Sequence, residues 1–177
     1  DSSGGGGLWS ARSDTVAASD VPVAAWEEQD VVHSVASAIG PPDVDALASI
    51  GRWGEELVAS LLRQALPGSL ITWENEEVEM GRPWDVSVCT ASAAFSGREE
   101  DADHLIEVKT TTADRMVAFP MSLPEIECAK RKGSGYSVYR VLGAGTPGVR
   151  VARLHDPARQ LQSGRLQIFV GSREEGS

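Results

Sequence analysis

Along residues 43–66 apolar side chains recur at helical spacing, and Leu47, Ile50, Leu57, Val58, Leu61 and Leu62 fall on one face. Asp43 stands where an N-cap belongs, and "PGS" at 67–69 ends the pattern. Gly51 and Gly54 lie inside this helix. Each costs about 1 kcal/mol against Ala, which points to a closely packed neighbour. Beyond Ser69 the period shortens to two. "LITW" at 70–73 reads as a strand, and "PWDVSV" at 83–88 as a second, with Trp84, Val86 and Val88 inward and Asp85 and Ser87 on the other face. "HLIEVKT" at 104–110 is a third. Its Ile106 and Val108 point into the core, whereas Leu105, Glu107, Lys109 and then Thr111 share the opposite side. Residues 92–103 between them read as a long exposed hairpin loop.

Ser122 and Glu125 form the capping-box pattern S-x-x-E, opening a helix that turns Ile126 and Ala129 inward. "KRKGSG" closes it: Lys130, Arg131 and Lys132 suit the negative helix end, and Gly133 suits the stop. "YSVYRVL" at 136–142 and "VRVARL" at 149–154 read as two more strands, and 155–170 as a peripheral piece with one further strand at most. The order is α-β-β-β-α-β-β. The first 20 residues, rich in Gly, Ser, Ala and Asp, read as disordered linker. Residues 21–39 read either as a short amphipathic helix using Trp26, Val32, Val35 and Ile39 or as partly ordered linker, broken by "GPP" at 40–42. The division is thus an acidic linker over 1–42, one α/β domain over 43–170 and a flexible tail over 171–177.

The net charge of -10 at first argues against nucleic acid. Its distribution changes that: residues 1–50 hold eight acids and one base, whereas 51–170 hold sixteen acids and fourteen bases. A near-neutral core neither supports nor excludes a phosphate-contacting face. No run approaches the roughly 20 apolar residues of a membrane span. "DSSGGGGLWS" lacks the basic start and apolar stretch of a signal peptide, and a start on Asp rather than Met fits a fragment or a processed form. Two cysteines, Cys89 and Cys128, fit a reduced intracellular compartment, nuclear or cytosolic. His33, His104 and His155 have no metal-ligand spacing and read as surface or edge residues.

The chemistry concentrates at four charges. If the second and third strands pair as a hairpin, Asp85 meets Glu107 and Lys109. Glu55 reaches the same place if the long helix packs beside the sheet. Three carboxylates around one lysine suit a hard cation, since Mg²⁺ binds through one or two carboxylates and keeps waters for substrate phosphates. Glu56 points about 100° away around the helix and reads as solvated. The plainer reading makes Glu107 and Lys109 an exposed strand-face pair worth about 0–1 kcal/mol. Capping alone accounts for Ser122 and Glu125, and a solvated helix end for Lys130, Arg131 and Lys132. Trp53, Trp73, Trp84 and Tyr136 read as core or edge aromatics, and strand propensity accounts for Thr110, Thr111 and Thr112.

"PWD" followed by "IEVK" resembles the D…E-x-K core of the restriction-endonuclease-like, PD-(D/E)XK superfamily, and "GRWGEELVASLL" resembles its first-helix motif G-E-x-x-V at Glu55. The ordered set "GEELV", "PWDV", "IEVKTTT", "SLPEIECA" and "YSVYRV", spanning 48–154, is similar to the NO VEIN C-terminal domain. The long loop between Asp85 and Glu107 departs from compact members. The resemblance implies a restriction-endonuclease-like α/β core, with a mixed central sheet of about five strands flanked by helices. It implies Asp85, Glu107 and the Val108 carbonyl as ligands of Mg²⁺, with Mn²⁺ as a substitute, Lys109 as the catalytic lysine and Glu55 in support. The resemblance does not by itself imply cleavage, and the first reading is a nuclease-like domain that hydrolyses a DNA or RNA phosphodiester. The alternative is a catalytically inactive module of a larger regulatory protein, binding nucleic acid or docking a protein partner through the N-terminal segment. The acidic leader favours this alternative.

Overall fold

The computed structural model describes residues 29–89 and 98–168. The linker over 1–20, Trp26, the tip of the 92–103 loop and the tail over 171–177 lie outside the described residues. The elements are α1 (Gln29–Ile39), α2 (Leu47–Ala65), β1 (Leu70–Trp73), β2 (Val86–Cys89), β3 (His104–Thr110), α3 (Leu123–Lys132), β4 (Tyr136–Leu142), β5 (Arg150–His155) and α4 (Pro157–Gln162). The chain is therefore an α/β domain in the order α-α-β-β-β-α-β-β-α, and the order read from the sequence is its middle portion.

The five strands form one sheet in the order β1-β2-β3-β4-β5. Neighbours pair antiparallel except β3 and β4, which run parallel. A parallel pair needs a long crossover, and α3 supplies it. Side-chain alternation along β3 separates two cores. Ile106 and Val108 join Trp53, Leu57, Val58, Leu61 and Leu62 of α2 on one face. Leu105 joins Cys128 and Ala129 of α3, with Tyr136 and Val138 of β4, on the other. All seven residues of β4 are buried, as befits a strand covered on both faces. The helix α1 adds Val32 and Ala36 to the α2 core.

Several expectations need correction. The long helix starts at Leu47, four residues after Asp43, and Leu47 is 87% exposed rather than on the buried face. Asp43 instead closes a turn ahead of the helix: its carboxylate accepts from the Asp45 N–H at 3.1 Å and its carbonyl from the Ala46 N–H at 3.3 Å. The second strand begins at Val86 rather than Pro83, and just ahead of it the Asp85 N–H goes to the carbonyl of Ile106, a residue already paired with Val86. Trp84 packs with Leu105 and Cys128, on the face opposite Val86 and Val88. Residues 157–162, within the peripheral piece read as holding one further strand at most, form a helix. Asp156 caps it, accepting from the Arg159 N–H at 3.0 Å, and Pro157 fits its first turn.

Of the two helix glycines, Gly54 is the close contact. A Cβ there would lie 1.8 Å from Thr110 Oγ1, whereas one on Gly51 would meet open space. Gly54 thus lets α2 lie directly against β3. Two of the three basic residues closing α3 bind the β2–β3 connection: Arg131 pairs with Glu99 at 2.7 Å, and Lys132 donates to the carbonyls of Glu99 and Ala102. His104, expected at the surface or an edge, is 5% exposed at the start of the central strand β3. Its Nε2 meets Ser137 Oγ at 2.9 Å, and burial, then Arg153, pushes its pKa down to about 3.

Candidate functional site

The β2–β3 ladder begins with Val86 opposite Ile106, and Asp85 stands just ahead of it against the same stretch of β3. The Asp85 N–H donates to the Ile106 carbonyl at 2.9 Å. Its Oδ2 accepts from the Val108 N–H at 2.7 Å, which fixes the carboxylate against β3. Its Oδ1 accepts from Asn75 Nδ2 at 3.1 Å. The same Asn75 amide donates to Glu55 Oε2 at 3.2 Å, and that oxygen also accepts from Trp73 Nε1 at 2.8 Å. Glu55 belongs to the helix on the other face of the sheet. It joins the group through Asn75, ahead of the point where β2 begins.

The turn that carries Asn75 is held from α2. Arg52 lies over the Trp73 ring and donates to the carbonyls of both Asn75 and Glu76. Arg52 and Glu55, three apart, share a helix face and grip that turn together. Asn75 is 5% exposed, and its Oδ1 accepts from the Met80 N–H at 3.1 Å.

Lys109 follows Glu107 on the same face of β3. Its Nζ lies 2.6 Å from Glu107 Oε1 and 3.1 Å from Glu125 Oε1. Glu125 reaches from the first turn of α3, where its Oε2 accepts from the Ser122 N–H at 2.9 Å. Ser122 Oγ accepts in return from the Glu125 N–H at 3.4 Å, so the expected capping box is present. Beside Lys109, Arg140 of β4 is 2% exposed, stacks on the Phe119 ring and donates to the Lys109 carbonyl at 2.9 Å.

The fold therefore brings Glu55, Asp85, Glu107 and Lys109 into one group. It adds two residues that sequence reasoning missed. Asn75 sits in what reads as a polar connection, and only the folded turn shows its amide facing two acids. Glu125 was assigned to capping alone. Its signal was arithmetic, since a capping box uses one oxygen of the glutamate and leaves the second for another partner.

Burial dominates the electrostatics. It pushes Asp85 up to about 7, with Glu55 adding repulsion and the Val108 N–H and Lys109 opposing. Glu107 is pushed further, to about 9, by burial and then by Asp85, against the pull of Lys109. Burial would lower the Lys109 ammonium, but Glu107 and Glu125 outweigh it and hold the group above its usual value. Two neighbouring buried acids thus carry fewer than two charges near neutral pH, and a cation beside them would lower both. Among the described residues, no three His, Cys, Asp or Glu side chains gather as a metal cage. What the site offers is two hard oxygen donors. That fits Mg²⁺, which takes one or two carboxylates and completes its shell with water and phosphate oxygens.

The family model described as "Protein NO VEIN, C-terminal" matches residues 54–153, which contain Glu55, Asp85, Glu107, Lys109 and Glu125. Protein NO VEIN of Arabidopsis thaliana is 27% identical over 150 residues, covering 82% of this chain and 5% of the relative. The chain thus spans about 5% of the length of that curated relative. No solved structure matches it. With more than half of its residues matched, including the whole charged group, the chain belongs to the NO VEIN C-terminal domain family.

Proposed function

We propose that this domain is a metal-dependent nuclease of restriction-endonuclease-like type, hydrolysing phosphodiesters of DNA or RNA. The observation that carries the reading is the Lys109 ammonium, 2.6 Å from Glu107 and on the strand that pairs with the Asp85 segment. Asp85 and Glu107, with the Val108 carbonyl, would hold Mg²⁺ or Mn²⁺, which supplies Lewis-acid activation of water and phosphate. Lys109 donates to the attacking water or a phosphate oxygen and offsets charge developing at phosphorus. Glu55 acts through Asn75, whose amide orients Asp85. The nucleic acid would be intracellular, nuclear or cytosolic, in keeping with two free buried thiols.

The test is cleavage of labelled single- and double-stranded DNA and RNA with Mg²⁺ or Mn²⁺, comparing wild type with Lys109→Ala. The reading requires cleavage that stops on chelation and drops at least about 100-fold in the variant, at unchanged circular dichroism. Equal rates in the two proteins remove the mechanism. A second reading, a non-catalytic module that docks a protein or nucleic acid, is favoured by the acidic leader. It requires no cleavage with any divalent metal, and only changes of stability in Asp85→Ala and Glu107→Ala.

A further inference from the structure

Arg140 stands beside the charged group and has no part in the chemistry assigned to it above. It pairs in register with Lys109 across the parallel β3–β4 ladder, so the two Cα atoms lie about 5 Å apart. Val138, two residues back, packs with Leu105 in the core on the α3 side. Alternation therefore puts Arg140 on the face that carries Glu107 and Lys109. Arg140 is 2% exposed, yet among the described residues no carboxylate pairs with it. Burial pulls its pKa down to about 10 with no acid opposing, and it stays charged at neutral pH. A buried cation with only neutral acceptors is costly. Its five N–H groups are also used unevenly. Nη1 donates to the Lys109 carbonyl at 2.9 Å. Nη2 reaches the Val117 carbonyl only at 3.5 Å, beyond the usual range of such a bond. Nε is buried and has no partner among the described residues. Nε and Nη2 form one edge of the guanidinium, where two parallel N–H bonds fit two oxygens of one oxyanion. The edge best suited to grip an anion is thus the one the protein leaves nearly unused.

We propose that the Nε–Nη2 edge of Arg140 binds a phosphate of the nucleic-acid backbone, next to the phosphate held at Asp85 and Glu107. The cover over Arg140 is the connection from β3 to α3. Val117 stands at that edge, and the Phe119 ring centre lies 4.4 Å from the guanidinium carbon. Among the described residues, no backbone–backbone hydrogen bond holds residues 115–121, so this stretch lifts at little cost. The phosphate that enters supplies the counter-charge that no carboxylate provides. A polynucleotide fits because it carries a phosphate at every step, and a second one lies within reach of the first. Arg140 is thus a substrate-binding residue beside the reacting group. This inference deepens the nuclease reading above and rests on it.

The experiment is fluorescence anisotropy of labelled duplex and single-stranded oligonucleotides, titrated with the full chain in EDTA over a series of salt concentrations. The proteins are wild type, Arg140→Gln, Arg140→Lys, Phe119→Ala and the double variant Phe119→Ala/Arg140→Gln. Arg140→Gln should weaken binding about tenfold whatever the sequence. It should also reduce the slope of log affinity against log salt by about 0.9 on duplex, the loss of one phosphate contact. Arg140→Lys keeps the charge without the fork, and should restore the slope while binding less tightly than wild type. Phe119→Ala removes the cover and keeps the guanidinium. It should tighten binding about two- to tenfold, because the cost of opening is gone, and the gain should vanish in the double variant. A salt slope unchanged in Arg140→Gln, with only a lower thermal midpoint, makes the arginine structural and overturns the inference. Metal-dependent cleavage by wild type then leaves the nuclease reading standing. If Arg140→Gln does not fold, Phe119→Ala decides, and binding no tighter than wild type overturns the inference. Wild type that binds neither oligonucleotide overturns it as well, and the cleavage assay judges the nuclease reading separately.

Discussion

Asp85 uses both carboxylate oxygens on neighbours, the Val108 N–H and the Asn75 amide, while its own backbone pairs with β3. That fixes its direction as a strand fixes its backbone. Replacing Asn75 by Ala leaves Glu55 and Asp85 without their shared donor. We expect a loss of about 1–3 kcal/mol in urea unfolding, the cost of leaving buried acceptors unmatched. The two raised carboxyls also set a pH dependence. Their folded values, about 7 and about 9, stand above the ordinary values of 3.8 and 4.5. Between those limits the folded chain binds more protons than the unfolded one, so stability is full at the acid end and falls as pH rises through 7 to 9. Thermal melts without metal should therefore show a lower midpoint at pH 9 than at pH 5. Glu107→Gln should flatten the curve, and a steep fall retained in that variant would refute the assignment. Glu107 and Lys109 were legible because strand alternation puts them on one face, and Asp85 because the second and third strands were expected to pair. Asn75 was not, because its role depends on how Arg52 and Glu55 hold a turn that has no periodicity to read.

Strand extents were readable at the level of elements wherever a strand carries its own pattern. β1, β3 and β4 run over the residues expected of them, 70–73, 104–110 and 136–142. Starts set by local chemistry were harder to place. Asp43 is as good a cap as its composition suggests, but it serves a turn, and α2 opens on Ala46 with no side-chain cap. The Asp156–Pro157 pair was a readable helix start that the apolar spacing of 155–170 obscured. The glycines of α2 give opposite predictions from one cause. Gly54→Ala drives a methyl into Thr110 and should cost about 1–3 kcal/mol, as overpacking does. Gly51→Ala meets open space and should gain up to about 1 kcal/mol from helix propensity. Urea unfolding of the two variants checks both signs. Destabilisation by both would mean that α2 does not rest on β3 as described.

Charge is the property of the whole molecule that bears most on function. Residues 1–28 hold five acids and one base, ahead of every described element. Among the described residues, no helix is long and apolar enough to cross a membrane. A leader of that sign repels phosphate. Removing residues 1–28 should tighten binding of a fluorescent oligonucleotide about two- to tenfold at low salt, and the gain should shrink as salt screens it. Unchanged anisotropy curves would show that the leader lies away from any nucleic-acid path. The covered sheet, the paired β2 and β3 and the two flanking helices all converge on one charged group. What that group holds is the central claim. It is tested most directly by titrating Mg²⁺ calorimetrically into wild type and Asp85→Ala, each with a non-hydrolysable oligonucleotide present to complete the ion's shell. The account predicts binding in wild type that is lost in Asp85→Ala, and equal binding in the two proteins, or none in either, would contradict it.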